Sequence, residues 1–245
     1  MRQRPGGVST AVQVEIWSDI VCPWCYIGKR RFETALAEFA HRDDVTVTWR
    51  SFELDPNTPK VVDGDLASRL AAKYGMTRDQ ALANQARLTR LAADEGLEFR
   101  FEDARAGNTF DGHRLIHLAG EKGLQDAAKE RLMKAYFEEG VRPSDPAALV
   151  ALLAEVGVPA AESEAVLAGD AHADDVRADE ALAAQFGISG VPFFVLDRKY
   201  GLSGAQPPEA ILAALEQAWS ESHPAPVLTP VGGDAPICED AVCEI

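Results

Sequence analysis

Two pairs of cysteines are the residues of this 245-residue chain best suited to chemistry. Cys22 and Cys25 enclose Pro23 and Trp24, and Cys238 and Cys243 enclose four residues near the C-terminus. A Cys-x-x-Cys pair can cycle between dithiol and disulfide or hold a soft metal, and the flanking elements decide between these. Residues 12–20 are an apolar, β-branched run, and Phe32, Leu36 and Phe39 recur at helical spacing across 26–40. A strand, then the two cysteines, then a helix is the setting in which this spacing means redox chemistry rather than two packed structural thiols. Pro23 suits the first turn of that helix, where its missing N–H has no intrahelical partner anyway. Cys22 then faces unpaired backbone N–H groups and the positive end of the helix dipole, which favour its thiolate and make it the nucleophile. Cys25, one turn inward and less exposed, is placed to resolve a mixed disulfide between Cys22 and a substrate protein.

The composition narrows the class. At 47% hydrophobic and 26% charged residues, a chain of this length can bury a sizeable core without disulfide staples, so the cysteines are not needed as scaffold. A net charge of −15 repels phosphate backbones and anionic membrane surfaces, which excludes nucleic acid and disfavours membranes as partners. No uninterrupted apolar run is long enough to span a bilayer. Residues 1–7 carry two arginines but lack the apolar segment of a secretory signal, so the expected location is cytoplasmic. In that compartment Cys-x-x-Cys pairs are catalytic or metal-binding. His41, His117, His172 and His223 have no partner spacing that suggests a metal site, and no metal is expected.

The elements that must position Cys22 can be read in chain order. After the first strand and helix, residues 45–52 alternate with a period of two and form a second strand, parallel to the first because a helix intervenes. From 66 to 186 the chain is rich in Ala and Leu with helical periodicity. Candidate helices cover 66–74, 77–95, 110–122, 125–138, 146–156, 162–168 and 172–186, most of them stopped by a glycine. A short extended piece is expected at 97–101. Strands return at 191–196 and 200–204 around the turn Asp197-Arg198-Lys199, and Pro207-Pro208 opens a last helix to Ser222. The layout is an α/β thioredoxin fold with a large helical domain inserted between its βαβ and ββα halves. Residues 12–60 and 187–222 form the thioredoxin-like domain, 61–186 the insertion, and 223–245 an extended, loosely ordered C-terminal tail.

Three stretches together resemble the DsbA-like thioredoxin superfamily and, within it, the FrnE-type proteins. They are Ser18-Asp19-Ile20-Val21-Cys22-Pro23-Trp24-Cys25-Tyr26-Ile27-Gly28-Lys29, Asn108-Thr109-Phe110-Asp111-Gly112-His113-Arg114-Leu115, and Gly187-Ile188-Ser189-Gly190-Val191-Pro192-Phe193-Phe194. The resemblance spans roughly residues 12–219. It implies that Pro192 is a cis-proline lying against the active-site disulfide, with Val191 offering its backbone to a bound peptide. It implies that Asn108 and His113 face the active site from the insertion, to shape the pocket or bind a ligand; the alternative is a capped helix with His113 packed between domains. Relatives with Cys-Pro-His-Cys are strongly oxidising, and the uncharged Trp24 cannot stabilise a thiolate as that histidine does. An intermediate potential is expected, between about −270 mV for thioredoxin and about −120 mV for DsbA. Trp24 either offers substrate a flat apolar contact or simply packs. Some relatives keep a buried acid beneath the motif that relays a proton to Cys25. Glu15 is one residue out of register for that role, and a satisfied structural Glu is the alternative.

Some FrnE-type members also carry a second C-terminal cysteine pair. Cys238 and Cys243 are surrounded by Glu239, Asp240 and Glu244, whose charge disfavours thiolates and slows attack. From Ser222 to Cys238 is 16 residues, at most about 53–58 Å when extended, so contact with Cys22 is allowed. Three arrangements stay open: a Cys238–Cys243 redox disulfide exchanging electrons with Cys22–Cys25, a passive tail disulfide, and a four-cysteine zinc site. The function expected is a thiol–disulfide oxidoreductase or protein disulfide isomerase without a bound cofactor. It acts on client proteins carrying disulfides or thiols, with glutathione or a thioredoxin as reductant. The rivals are a glutathione-dependent isomerase of the 2-hydroxychromene-2-carboxylate type, whose relatives commonly have a single serine at the place of Cys22, and a redox- or metal-responsive binding protein.

Overall fold

The computed structural model describes residues 11–224. Cys238, Cys243 and nearly all of the expected tail lie outside the described residues. Four strands form one sheet in the order β2-β1-β3-β4, with β1 Val12–Ser18, β2 Val45–Ser51, β3 Phe193–Leu196 and β4 Tyr200–Ser203. β1 pairs parallel to β2, from Val12 opposite Val45 to Ser18 opposite Ser51, and antiparallel to β3. β3 and β4 make the expected antiparallel hairpin, and Asp197 and Arg198 in its turn take positive φ.

β1 is central, and its alternation assigns the two faces of the sheet. Val12, Val14 and Ile16 pack with Trp49, Phe194 and Leu196 against α1 (Pro23–Glu38) and α9 (Pro208–Ser222), through Phe32, Ala35, Ile211 and Leu215. Trp17 points the other way, with Ala183, Ile188 and Val195, its ring edge-on to Phe186 at 5.8 Å.

Seven helices lie between β2 and β3: α2 Leu66–Tyr74, α3 Arg78–Asp94, α4 Phe110–Glu121, α5 Gln125–Glu138, α6 Pro146–Glu155, α7 Ala160–Ala168 and α8 Ala173–Gln185. Several start where sequence chemistry puts them. Asp65 caps α2 by accepting from the Ser68 N–H, Thr77 and Gln80 form a capping box on α3, and Asp145 accepts from the Ala147 and Ala148 N–H groups ahead of α6. Residues 97–101 differ from expectation. Leu97, Phe99 and Phe101 are buried in alternation, yet no ladder forms. No sheet edge lies alongside, and this stretch bonds to α5 instead, the Arg100 N–H donating to the Phe137 carbonyl at 2.7 Å.

The outer edge of β2 is where insertion and sheet join. The Gln125 side-chain amide behaves like a neighbouring strand, accepting from the Trp49 N–H at 2.9 Å and donating to the Trp49 carbonyl at 3.0 Å. Two residues on, the Ser51 N–H donates to Asp179 at 2.8 Å, and the same carboxylate takes the Arg50 guanidinium at 2.8 Å. The Trp17 indole donates to the Asp179 carbonyl. Side chains thus satisfy an edge that would otherwise recruit another chain. Asp179→Ala leaves the buried Ser51 N–H without an acceptor and takes from Arg50 one of its two carboxylates, the other being Glu15. A loss of about 1–3 kcal/mol in urea unfolding is expected.

Candidate active site

Cys22 is the N-cap residue of α1, extended at φ −89° and ψ 112°, with Pro23 in the first helical turn and no side chain capping the helix. Its carbonyl accepts from the Cys25 N–H at 3.0 Å and the Tyr26 N–H at 3.3 Å. Both thiols are free and buried, Cys22 at 3% exposure and Cys25 at 1%. Burial pushes the Cys25 thiol well above its ordinary range, and the hydrogen bond with Cys22 and its charge add to this. Lys129 opposes the shift.

The Cys22 thiol donates to the Val191 carbonyl at 3.5 Å, and the Val191–Pro192 peptide is cis. The loop is anchored from behind, where the Gly204 N–H donates to the Pro192 carbonyl at 2.8 Å. Gly28, one turn into α1 beyond the cysteines, allows this approach: a Cβ there would stand 2.9 Å from the Pro192 ring. Cys22, Trp24 and Val191 line a cleft of about 540 Å³, whose opposite walls come from Leu54, α2 and α3. Trp24 is half-buried in it, with the Arg87 guanidinium 5.9 Å from its ring centre.

Beneath the motif lies a set of buried charged and polar groups. Asp19, one residue past the end of β1, is 1% exposed. One carboxylate oxygen meets His113 Nε2 at 3.2 Å and the other accepts from the Leu54 N–H at 2.8 Å. Burial opposes its charge, but the His113 hydrogen bond, the Leu54 N–H and the nearby Lys129 together hold its pKa below the ordinary range. Burial pushes the His113 pKa down in turn, so a neutral imidazole donates to the Asp19 carboxylate. α4 comes close enough for this because Gly112 has no side chain; a Cβ would sit 2.6 Å from Ile20 Cδ1.

Lys129 is the third member. It is 1% exposed, and its ammonium donates to the Ser18 carbonyl at 3.1 Å. Burial draws its pKa down to about 8, although Cys25, Asp19 and Cys22 each favour its charge. α5 is braced on both sides so that Lys129 must point here. Gln125 and Asp126 bond to Trp49, while Glu130 takes Arg30 and, at 2.7 Å, the Tyr26 hydroxyl of α1.

Several expected residues sit elsewhere. Glu15 lies on the opposite sheet face from Ile16, held by Arg50 at 2.6 Å and Arg198 at 2.9 Å. Burial raises its pKa, but hydrogen bonds from Arg198 and then Arg50 outweigh this and keep it ionised, so it is a satisfied structural acid with no path to Cys25. Asn108 does not line the cleft. Its amide donates to Glu53 at 3.2 Å and its oxygen caps α4 through the Phe110 N–H at 2.8 Å. His113 does not line it either, being 1% exposed; it touches the motif's approach only through Asp19. The residues missed by the sequence reading are Asp19 and Lys129. Asp19 lay inside a quoted motif without a role, and Lys129 carries no local signal at all. Among the described residues, no three His, Cys, Asp or Glu side chains are placed to share a metal ion.

A family model for the DSBA-like thioredoxin domain matches residues 13–216. The chain belongs to that family. It is 49% identical to a probable DsbA oxidoreductase from Streptomyces coelicolor, covering 96% of this chain and 99% of that one at a TM-score of 0.83. Two more distant structures share the fold. The cytosolic disulfide reductase DsbM from Pseudomonas aeruginosa, solved with GSH, is 21% identical with a TM-score of 0.60, covering 84% of this chain and 98% of that one. A 2-hydroxychromene-2-carboxylate isomerase is 16% identical with a TM-score of 0.63, covering 85% and 97%. The family is one of thiol–disulfide oxidoreductases. No helix among the described residues is long and apolar enough to cross a membrane.

Two outcomes follow from the buried groups. His113 has a depressed pKa in the folded chain, so below its ordinary value of 6.5 the unfolded chain binds a proton that the folded chain refuses. Stability therefore falls as pH drops through that window. Thermal unfolding of His113→Gln between pH 6.5 and 5 is expected to show a shallower decline, by up to about 1.4 kcal/mol per pH unit. Lys129→Met removes the cation that helps Cys25 lose its proton. The resolving step, read by stopped-flow on the reduced protein, is expected to slow about tenfold at pH 7. The difference narrows above pH 8, where the wild-type lysine loses its own charge.

Proposed function

We propose that this DsbA-family protein is a protein thiol–disulfide oxidoreductase of the reductase and isomerase type, with Cys22-Pro23-Trp24-Cys25 as its active site. The observation that carries the reading is the arrangement at the start of α1. Cys22 lies at the uncapped helix N-terminus facing the Val191 carbonyl, and Cys25 is buried one turn behind it beside Lys129. The Cys22 thiolate attacks one sulfur of a client disulfide, forming a mixed disulfide and releasing the other sulfur as a thiolate. Cys25 then gives up its proton and attacks Cys22 Sγ. The client's second thiolate leaves, and two electrons have passed from the dithiol to the client. An extended client segment lies along Val191 and Pro192, with Trp24 as an apolar contact.

The second pair, Cys238 and Cys243, is proposed to exchange with Cys22 and return the motif to the dithiol. Its reach supports this. Trp219 of α9 packs edge-on against Phe39, so α9 ends beside the C-terminal end of α1. The 16 residues of α1 put that end about 24 Å from Cys22. From Pro224 to Cys238 is 14 residues, at most about 46–50 Å extended. Glutathione or a thioredoxin supplies the electrons in the cytosol, the compartment named for the Pseudomonas reductase. The fold shared with the hydroxychromene carboxylate isomerase keeps a glutathione-dependent isomerase as the second reading.

In insulin reduction and scrambled-ribonuclease refolding, Cys22→Ser is expected to lose essentially all activity. Cys25→Ser is expected to accumulate client mixed disulfides at Cys22 on non-reducing gels. Full activity in Cys22→Ser would end this reading, and chromene acid turnover with glutathione undiminished in Cys25→Ser would favour the second.

A further inference from the structure

Five buried side-chain atoms lack a hydrogen-bond partner among the described residues, and two of them, Arg69 Nη1 and Gln85 Nε2, belong to residues that line the cleft beside Cys22. Arg69 belongs to α2 and Gln85 to α3, so two neighbouring helices each place a residue with an unpaired buried donor in the lining of one cleft. Gln85 is only 7% exposed, and buried donors without acceptors are costly. Arg69 makes no ion pair with any carboxylate among the described residues, in a chain with 39 acidic residues against 24 basic ones.

The acids that line the cleft are already engaged. Asp19 is taken by His113 and the Leu54 N–H, and Asp55 by Lys73 at 3.2 Å. A third cation, Arg87, lies over Trp24. The remaining lining is largely apolar, and Leu54 and Tyr74 there are 38% and 59% exposed. The cleft therefore offers a sulfur nucleophile at one wall, apolar surface between, and an unpaired guanidinium with an unpaired neutral amide at the other.

We propose that Arg69 and Gln85 form an anion subsite that receives a carboxylate carried near the reacting sulfur of the substrate. The protein then selects disulfides in which the cysteine bears or neighbours a carboxylate, and the guanidinium orients that group while Cys22 attacks. This rests on the proposed reaction at Cys22. The shared chemistry has two sources, the free carboxylates of a small peptide thiol and an acidic residue beside a client cysteine.

Two measurements on the full-length protein separate the inference from the reaction it rests on. The first compares kcat/KM for glutathione disulfide with that for neutral 2-hydroxyethyl disulfide, and for a peptide disulfide with Glu beside cysteine against its Gln counterpart. The wild type is expected to prefer the acidic member of at least one pair, and the pair preferred identifies the source. In Arg69→Met that preference should fall about 10–100-fold, and in Gln85→Leu about 3–10-fold. The second is calorimetric binding of S-methylglutathione, which cannot exchange, and of the reduced Glu peptide to the Cys22→Ser protein. At least one should bind, and Arg69→Met should weaken it by a similar factor, with the thermal midpoint of each variant confirming a folded chain. No preference in an active wild type, or a preference and an affinity that survive both substitutions, would overturn the subsite and leave the oxidoreductase reading standing. An inactive wild type that still binds either carboxylate probe through Arg69 would overturn the reaction instead.

Discussion

The structure depends on keeping a carboxylate charged out of water. Asp19 stands where the chain leaves β1 and has yet to enter α1, and it is almost wholly buried. An isolated carboxylate there would cost several kcal/mol and would take up a proton instead. It remains ionised because three separate parts of the chain converge on it. His113 of α4 and the Leu54 N–H after β2 hydrogen-bond its two oxygens, and the Lys129 charge of α5 lies nearby. Each of those partners is itself held by the sheet or the helical insertion, so the corner that presents Cys22 is locked from behind.

This changes the role of the helical insertion. It is more than a covering for the cleft, since it supplies the groups that set the charge around the two thiols. The bracing of α5 against Trp49 on one side and Tyr26 and Arg30 on the other leaves Lys129 no route to solvent. A buried lysine with its pKa drawn down to about 8 can gain or lose its proton as the neighbouring sulfurs change charge. Here Trp24 is uncharged, and the cation is supplied from below by a helix more than 100 residues away in the chain.

The two sides of the motif thus divide the work. Below, Asp19, His113 and Lys129 hold the corner rigid and handle charge. Above, the Val191–Pro192 loop and the cleft face whatever Cys22 reacts with. Gly28 and Gly112 sit on these two sides; a Cβ at Gly28 would crowd the Pro192 ring, and one at Gly112 would make Ile20 Cδ1 shift.

Much of this was legible in the sequence. The alternation of residues 45–51, the helices and the glycines that stop most of them, and the strand–cysteine–helix order are local signals, and local physics decides them. The cysteine spacing together with its flanking strand and helix pointed to redox chemistry, and the family resemblance added the cis-proline loop, which the structure shows at Val191–Pro192. Residues 97–101 show where local pattern ends: alternating burial was present, but a strand also needs a neighbour, which only the packed chain could refuse. The same limit hid the charged neighbours of the two cysteines. Nothing near Lys129 in sequence distinguishes it from surface lysines on other amphipathic helices, and Glu15, one residue out of register for the buried acid, pairs with Arg50 and Arg198 as a structural Glu. Sequence by itself determined which residues could react. The tertiary structure decided which charges lie beside them, because burial and proximity across the chain, not spacing along it, govern whether a group is ionised.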